Sequence, residues 1–384
     1  MIKRTLILSI LLLIAINCLV QGQHIVTIEN LLQKERISGA VWTIVNDDSI
    51  GVFSAGFKNL VTKEKLKDND NVHVGSITKT ILALGVLMLE TQGKLNLDDP
   101  IKKYLPDLPI QNNWEATNPI TVRHLLDHTS GLSDLRLWHF FSSSSKPNTP
   151  LSEFYTINTE VLRVQEKPGN MFSNSNIGYA LLGMLIENIV NQPYEQYLDE
   201  NLIKPMGMNN STFQFVSQVG DLKSESLAMG HFDDGTTAPA LPIYLRPAAQ
   251  FTTTASDMGL LIKFFLNQGK ANNLQIIDSV YFEQLGRPTY TKAAKRGLNV
   301  GYALGISLRD RYGVLGYAHS GNIVGYRAML YVFPNEKKGF FISHNMDSEK
   351  ADYEAFNKVL IENLNVQKIT PITKEGVATV DFEE

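Results

Sequence analysis

The sequence predicts an α+β chain in which one sheet is assembled from the two ends of the polypeptide and a mostly helical stretch is inserted between them. Two observations carry this expectation. Alternating runs rich in β-branched residues cluster near both ends of the chain, and the apolar runs between them repeat with a helical period. Residues 38–57 read as a hairpin. Val41-Trp42-Thr43-Ile44-Val45 alternates, the chain breaks at Asn46-Asp47-Asp48-Ser49, and a second strand follows at Gly51-Val52-Phe53-Ser54. Next comes an apolar helical run from Ile81 to Thr91, closed by Gly93, and then further helices over Ile177 to Val190 and Ser256 to Asn267. Strand-like runs return at Gly301 to Leu308, Val314 to His319, Ile323 to Phe333 and Gly339 to His344, before a last helical stretch over about Lys350 to Asn363. The expected sheet subdomain therefore takes about residues 23–75 and 290–366, the helical subdomain about 76–289, and residues 367–384 form a tail.

Composition fits one compact chain of one or two domains. With 384 residues, 43% hydrophobic and 19% charged, the chain can bury a large core, and it carries no low-complexity block. Lys3-Arg4, the apolar stretch Leu6 to Ile16 and then Val20-Gln21-Gly22 have the order of a secretory signal peptide spanning residues 1–22. The expected location is secreted or periplasmic, with no membrane span, because no later stretch approaches the ~20 apolar residues that a spanning helix needs. The only cysteine, Cys18, lies inside this leader, and Asn17 before it is a poor match for lipoprotein processing, so disulfides are excluded from the mature chain. Removing the leader takes away Lys3 and Arg4 and moves the formal charge from −4 to −6. That balance argues against nucleic acid as a partner.

The chemistry centres on Ser76-Ile77-Thr78-Lys79 at the start of the first helix. Residues three apart on a helix share a face, so an amine can reach the hydroxyl beside it and activate serine without a histidine. A serine at the positive end of a helix can also lend its backbone N–H to a developing oxyanion.

Further segments give the chain a family resemblance. Gly93-Lys94-Leu95-Asn96-Leu97-Asp98-Asp99-Pro100, Tyr104-Leu105-Pro106, Ile120 through His128-Thr129-Ser130-Gly131-Leu132, Pro168-Gly169, Phe172-Ser173-Asn174-Ser175-Asn176, Gly178-Tyr179 through Gly183, Pro205-Met206-Gly207-Met208, Thr254 through Met258 and His319-Ser320-Gly321-Asn322 follow one another in order. From about Ile37 to about Asn345 the chain resembles the serine β-lactamase-related hydrolases of the class C type, which include penicillin-binding DD-peptidases and esterases. The resemblance implies a β-lactamase/transpeptidase-like fold: an antiparallel sheet flanked by N- and C-terminal helices, an inserted helical domain, and an active site in the cleft between them. It makes Ser76 the nucleophile, Lys79 its proton acceptor or electrostatic partner, and Asn176 and His319 the further catalytic residues. Asn174, Ser320, Gly321 and Asn322 would line the substrate, and the backbone N–H groups of Ser76 and Asn322 would hold the oxyanion. No cofactor or metal is implied.

One position departs from the pattern. The family's Tyr-x-Asn motif reads Asn174-Ser175-Asn176, and an amide cannot serve as a general base. Lys79 then carries proton transfer alone, another side chain reaches in, or the protein is a weakened relative that binds ligands such as peptidoglycan peptides without turning them over. Tyr179 and Tyr302 are candidate substitute hydroxyls, Tyr179 reading better as a core residue. His319 stands where typical β-lactamases carry lysine, which tilts the substrate away from a dedicated penicillin-destroying role. It is expected to bind a substrate carboxylate when protonated or to donate a hydrogen bond when neutral. The pair His124 and His128 with Asp127 between them lacks the glutamate of a zinc H-E-x-x-H frame and reads as a helix end before the Thr129-Ser130-Gly131 turn. The reading is a serine hydrolase that cleaves an amide or ester of a small molecule or peptide through an acyl-Ser76 intermediate. Specificity is expected from cleft loops such as Phe140 to Ser152, a serine- and proline-rich segment expected to be mobile.

Overall fold

The computed structural model describes residues 27–134, 145–156, 158–298 and 300–368. The leader with Cys18, the first part of the Phe140 to Ser152 loop and nearly all of the tail lie outside these residues. The two ends of the chain build one antiparallel sheet of eight strands. They are β1 (Gly39–Asn46), β2 (Ser49–Asn59), β3 (Glu64–Lys65), β4 (Tyr302–Ala303), β5 (Ile306–Arg309), β6 (Gly316–Ile323), β7 (Tyr326–Phe333) and β8 (Lys338–His344), and they lie side by side in the order β4-β5-β6-β7-β8-β1-β2-β3. The join between the two ends is β1 against β8, in register from Ala40 opposite His344 to Asn46 opposite Lys338.

Alternation along β1 sorts side chains to the two faces. Trp42 stacks on Phe53 and packs with Phe340, Ile342, Ile28 and Leu32 of helix α1 (27–35) and with Phe356 and Leu360 of the C-terminal helix. Val41 and Val45 join the larger core on the other face. That core holds helices α2 (Ile77–Thr91), α3 (Val122–Leu126), α4 (Asn176–Val190) and α5 (Ala255–Leu266), and the C-terminal helix is α6 (Tyr353–Leu364). Helix α2 is buried on every side from Ile77 to Leu89, which explains its nearly continuous apolar sequence. Helix α5 falls within the stretch 76–289 yet lies directly on the sheet: a side chain at Gly259 would strike Ile50 and Thr43.

The expected terminal helices, hairpin and antiparallel sheet are present, with shifted boundaries. Helix α2 begins four residues before Ile81 because the polar stretch Thr78-Lys79-Thr80 is itself buried and helical. The run Gly301 to Leu308 is a hairpin, turned at Leu304 and Gly305, which both take positive φ. Strand β6 runs on through the motif to Ile323 instead of stopping at His319. Gly321 interrupts the side-chain pattern, but the ladder with β7 continues from Tyr317 opposite Val332 to Ile323 opposite Tyr326.

Candidate active site

Ser76 is the N-cap residue of α2, and its side chain makes no capping bond. Its hydroxyl is therefore available, and Lys79 Nζ lies 2.7 Å from Oγ, one turn along the same face. Lys79 is 1% exposed; its other hydrogen-bond partner is the Ala248 carbonyl at 3.3 Å. Burial pushes its ammonium down from 10.5 to about 7, with the Asp134 carboxylate pulling the other way. A substantial fraction of Lys79 is thus neutral amine near pH 7, able to take the Ser76 proton.

Two glycines bring the His319-Ser320-Gly321-Asn322 segment against this helix start. Strand β5 pairs with β6 only as far as Ala318, so the edge of β6 from His319 to Ile323 faces the N-terminus of α2 instead of another strand. At Gly321 a Cβ would lie 1.8 Å from the Val74 carbonyl oxygen and 3.2 Å from Ser76 N. Gly75 takes φ +52°, and a Cβ there would meet Asn322 N at 2.6 Å. Only bare backbone on both sides permits this approach, which packs the segment before Ser76 against the segment that holds Asn322. The side chains of Ser320 and Asn322 are exposed on the strand.

His319 is buried, and both ring nitrogens are engaged. Nδ1 is 2.7 Å from the Ser320 carbonyl oxygen and Nε2 is 3.2 Å from the Tyr302 hydroxyl. Burial and the Lys79 charge push its pKa down to about 3. Tyr302 reaches it from the β4–β5 hairpin, which is fastened at its turn. Leu304 N–H donates to Asp127 Oδ1 at 2.8 Å, and Thr80, one residue beyond Lys79, donates to the Gly305 carbonyl at 2.7 Å. The Tyr302 hydroxyl also lies 3.3 Å from that of Tyr179, whose own proton goes to the Leu126 carbonyl at 2.9 Å. Tyr179 is fully buried and is the core residue expected of it.

The Asn174-Ser175-Asn176 motif turns toward a carboxylate that the sequence did not single out. Asp134 accepts from the Asn176 backbone N–H at 2.9 Å and from Asn176 Nδ2 at 3.1 and 2.9 Å, one bond to each oxygen, while Asn174 Nδ2 reaches it at 3.2 Å. Asn174 itself is exposed. Between them Ser175 caps α4 by accepting from Gly178 N, and its own N–H donates to His128 Nδ1 at 3.1 Å. No hydrogen bond among the described residues joins Asn176 to Ser76 or Lys79. The signal that could have revealed Asp134 is thin: one acidic residue three positions past the Gly131 turn, forty residues before its partners.

Only His128 takes the expected helix-ending role. His124 instead helps to start the helix, completing a capping box with the N-cap Thr121; α3 stops at Leu126, and His128 adopts φ +55°, which carries its ring off the helix face and onto Tyr179 and Tyr302 at 5.0 and 4.7 Å. Among the described residues no group of three His, Cys, Asp or Glu side chains is placed to hold a metal, and no helix is long and apolar enough to cross a membrane.

Comparison with known proteins agrees with this fold. The Beta-lactamase family model matches residues 26–362, nearly the whole described chain. The chain belongs to the beta-lactamase family. The chain is also similar to curated proteins. One is protein flp of Staphylococcus aureus strain MW2, 27% identical over 94% of this chain and 69% of that protein. Another is penicillin-binding protein 4* of Bacillus subtilis, 30% identical over 49% of this chain and 41% of its own length. The fold is shared with the octameric penicillin-binding protein homologue from Pyrococcus abyssi, with a TM-score of 0.71 and 23% identity over 89% of this chain and 76% of that one. It is shared equally with the D-amino acid amidase of Ochrobactrum anthropi SV3, TM-score 0.71, 19% identity, covering 90% and 98%.

Proposed function

We propose that this beta-lactamase-family protein is a serine hydrolase that opens an amide or ester through an acyl-Ser76 intermediate. The observation that carries the reading is the buried Lys79 amine at 2.7 Å from Ser76 Oγ, held near neutrality by desolvation. Ser76 Oγ attacks the carbonyl carbon while its proton passes to Lys79 Nζ. The negative oxygen forms between the N–H groups of Ser76 and Asn322, each such donor supplying about 3 kcal/mol in other acyl-transfer enzymes. Lys79 then gives the proton to the leaving amine or alkoxide. In the second half Lys79 takes a proton from water, which attacks the acyl carbonyl, and returns that proton to Ser76 Oγ as the acid leaves. This route uses no tyrosine at position 174. Asn174 and Asn176 fix Asp134, whose charge keeps Lys79 from losing its proton too readily. Ser320, Gly321 and Asn322 form the rail along which the substrate lies. Substrate candidates are D-peptides, including those of peptidoglycan, amides, esters and β-lactams. Secretion, supported by the N-terminal basic, apolar and small-residue pattern, would expose the site to such compounds.

Mass spectrometry after exposure to a fluorophosphonate and, separately, to a penicillin tests this. An adduct on the native chain that disappears with Ser76→Ala is expected. No adduct on the native chain, but one on Asn174→Tyr, would replace the hydrolase with a ligand-binding relative silenced by its missing tyrosine.

A further inference from the structure

We propose that the site accepts uncharged esters or amides bearing an apolar group, and that it discriminates against substrates carrying a carboxylate beside the scissile bond. This rests on the hydrolase reading and deepens it by naming the substrate class. Two observations at opposite ends of one strand support it.

The first is the locked state of His319. A carbonyl oxygen can only accept, so the 2.7 Å contact with Ser320 places the ring proton on Nδ1. Nε2 of a neutral imidazole is then an acceptor, and the Tyr302 hydroxyl at 3.2 Å donates to it. No N–H remains for a substrate carboxylate. Desolvation, together with the Lys79 charge, keeps the ring from taking a second proton. Arg309 on β5 offers no substitute, because its guanidinium lies against Met329 Sδ and the Tyr331 ring, residues of the sheet face covered by α1 and α6. The position that could have carried a cation is therefore neutral and occupied.

The second is a cavity of about 550 Å³ that begins at Asn322 and is walled mainly by Phe215, Phe232, Leu241, Ile243 and Ile323. Its carboxylate, Asp347, is paired with Arg327 at 2.6 Å. Leu241 is 65% exposed and Phe232 45%, so two large apolar side chains stand at the rim in water. A cavity of this size, with Asn322 in its wall, matches an aliphatic or aromatic substituent of a small substrate.

Steady-state hydrolysis of matched phenyl esters tests the proposal. The pairs are phenyl acetate against phenyl hexanoate, and methyl 3-(hexanoyloxy)benzoate against the corresponding free 3-(hexanoyloxy)benzoic acid. Expected are a kcat/KM at least tenfold higher for hexanoate than acetate, at least tenfold higher for the methyl ester than the free acid, and a loss of most of the chain-length gain in Leu241→Asp. Turnover in which the free acid is preferred, or in which chain length has no effect, overturns this inference and leaves the hydrolase reading standing. No turnover of any ester by the native protein, with no burst of phenol, overturns both.

Discussion

Replacing Lys79 with methionine should stabilise the protein at neutral pH while removing its chemistry. The side chain is fully buried, and its ammonium falls from 10.5 to about 7. Between those two values the unfolded chain holds the proton and the native chain does not, so native stability rises with pH across that window. At 1.36 kcal/mol for each pH unit, keeping this lysine buried costs the fold about 5 kcal/mol at pH 7, a cost that fades as pH approaches 10.5. Methionine fills a similar volume without charge but gives up the contacts with Ser76 Oγ and the Ala248 carbonyl, worth about 1 kcal/mol each. The net expectation at pH 7 is a gain of about 3 kcal/mol for Lys79→Met, shrinking to about zero by pH 9.5 as the native protein recovers. Urea unfolding of both proteins at the two pH values reads this directly. Labelling by a fluorophosphonate should rise with pH around a midpoint of about 7 in the native chain and fall at least ~1,000-fold in the variant. A variant less stable than the native chain by the same amount at both pH values would refute the claim that Lys79 is held as a neutral amine.

Asp134→Asn removes the charge that holds Lys79 up, so the labelling midpoint should move below 7, while the motif loop loses its anchor and the maximal rate drops; an unmoved midpoint would remove Asp134 from the site's electrostatics. Gly321→Ala forces a methyl against the Val74 carbonyl, and the resulting displacement of β6 from Ser76 should slow labelling about 100-fold with the fold retained by circular dichroism. Glu195→Gln breaks a buried pair with Arg246 at 2.8 Å, whose guanidinium also holds the Thr149 carbonyl, and should cost about 3 kcal/mol in urea unfolding. Asn174→Tyr changes an exposed residue and should leave stability within about 0.5 kcal/mol, so any change in labelling rate there reports chemistry and not folding.

Where the sequence was readable, a local rule did the reading. Ser76 and Lys79 share a helix face because three residues are nearly one turn, and the alternation from Val41 to Val45 marked the first strand of a hairpin. The run from Ile177 to Val190 read as a helix from its period. What stayed hidden depends on distance in the chain. Asp134 meets Asn174 and Asn176 across forty residues, and nothing in a lone aspartate after a turn announces that pairing. Tyr302 was legible as a hydroxyl of interest but not as the partner of His319, because that contact follows from the hairpin being fastened by Thr80 and Asp127. Gly321 was read for substrate access, whereas its sharper demand is the approach of the Val74 carbonyl, a constraint set by tertiary packing. The neutral state of His319 likewise required seeing both ring nitrogens engaged.

The most direct test of acyl transfer at Ser76 is rapid-quench mass spectrometry of the native protein mixed with phenyl hexanoate. The account predicts a burst of phenol equal to the enzyme concentration and a hexanoyl group on the peptide containing Ser76, both absent in Ser76→Ala. A burst without that modification, or an acyl group that persists in Ser76→Ala, would contradict it.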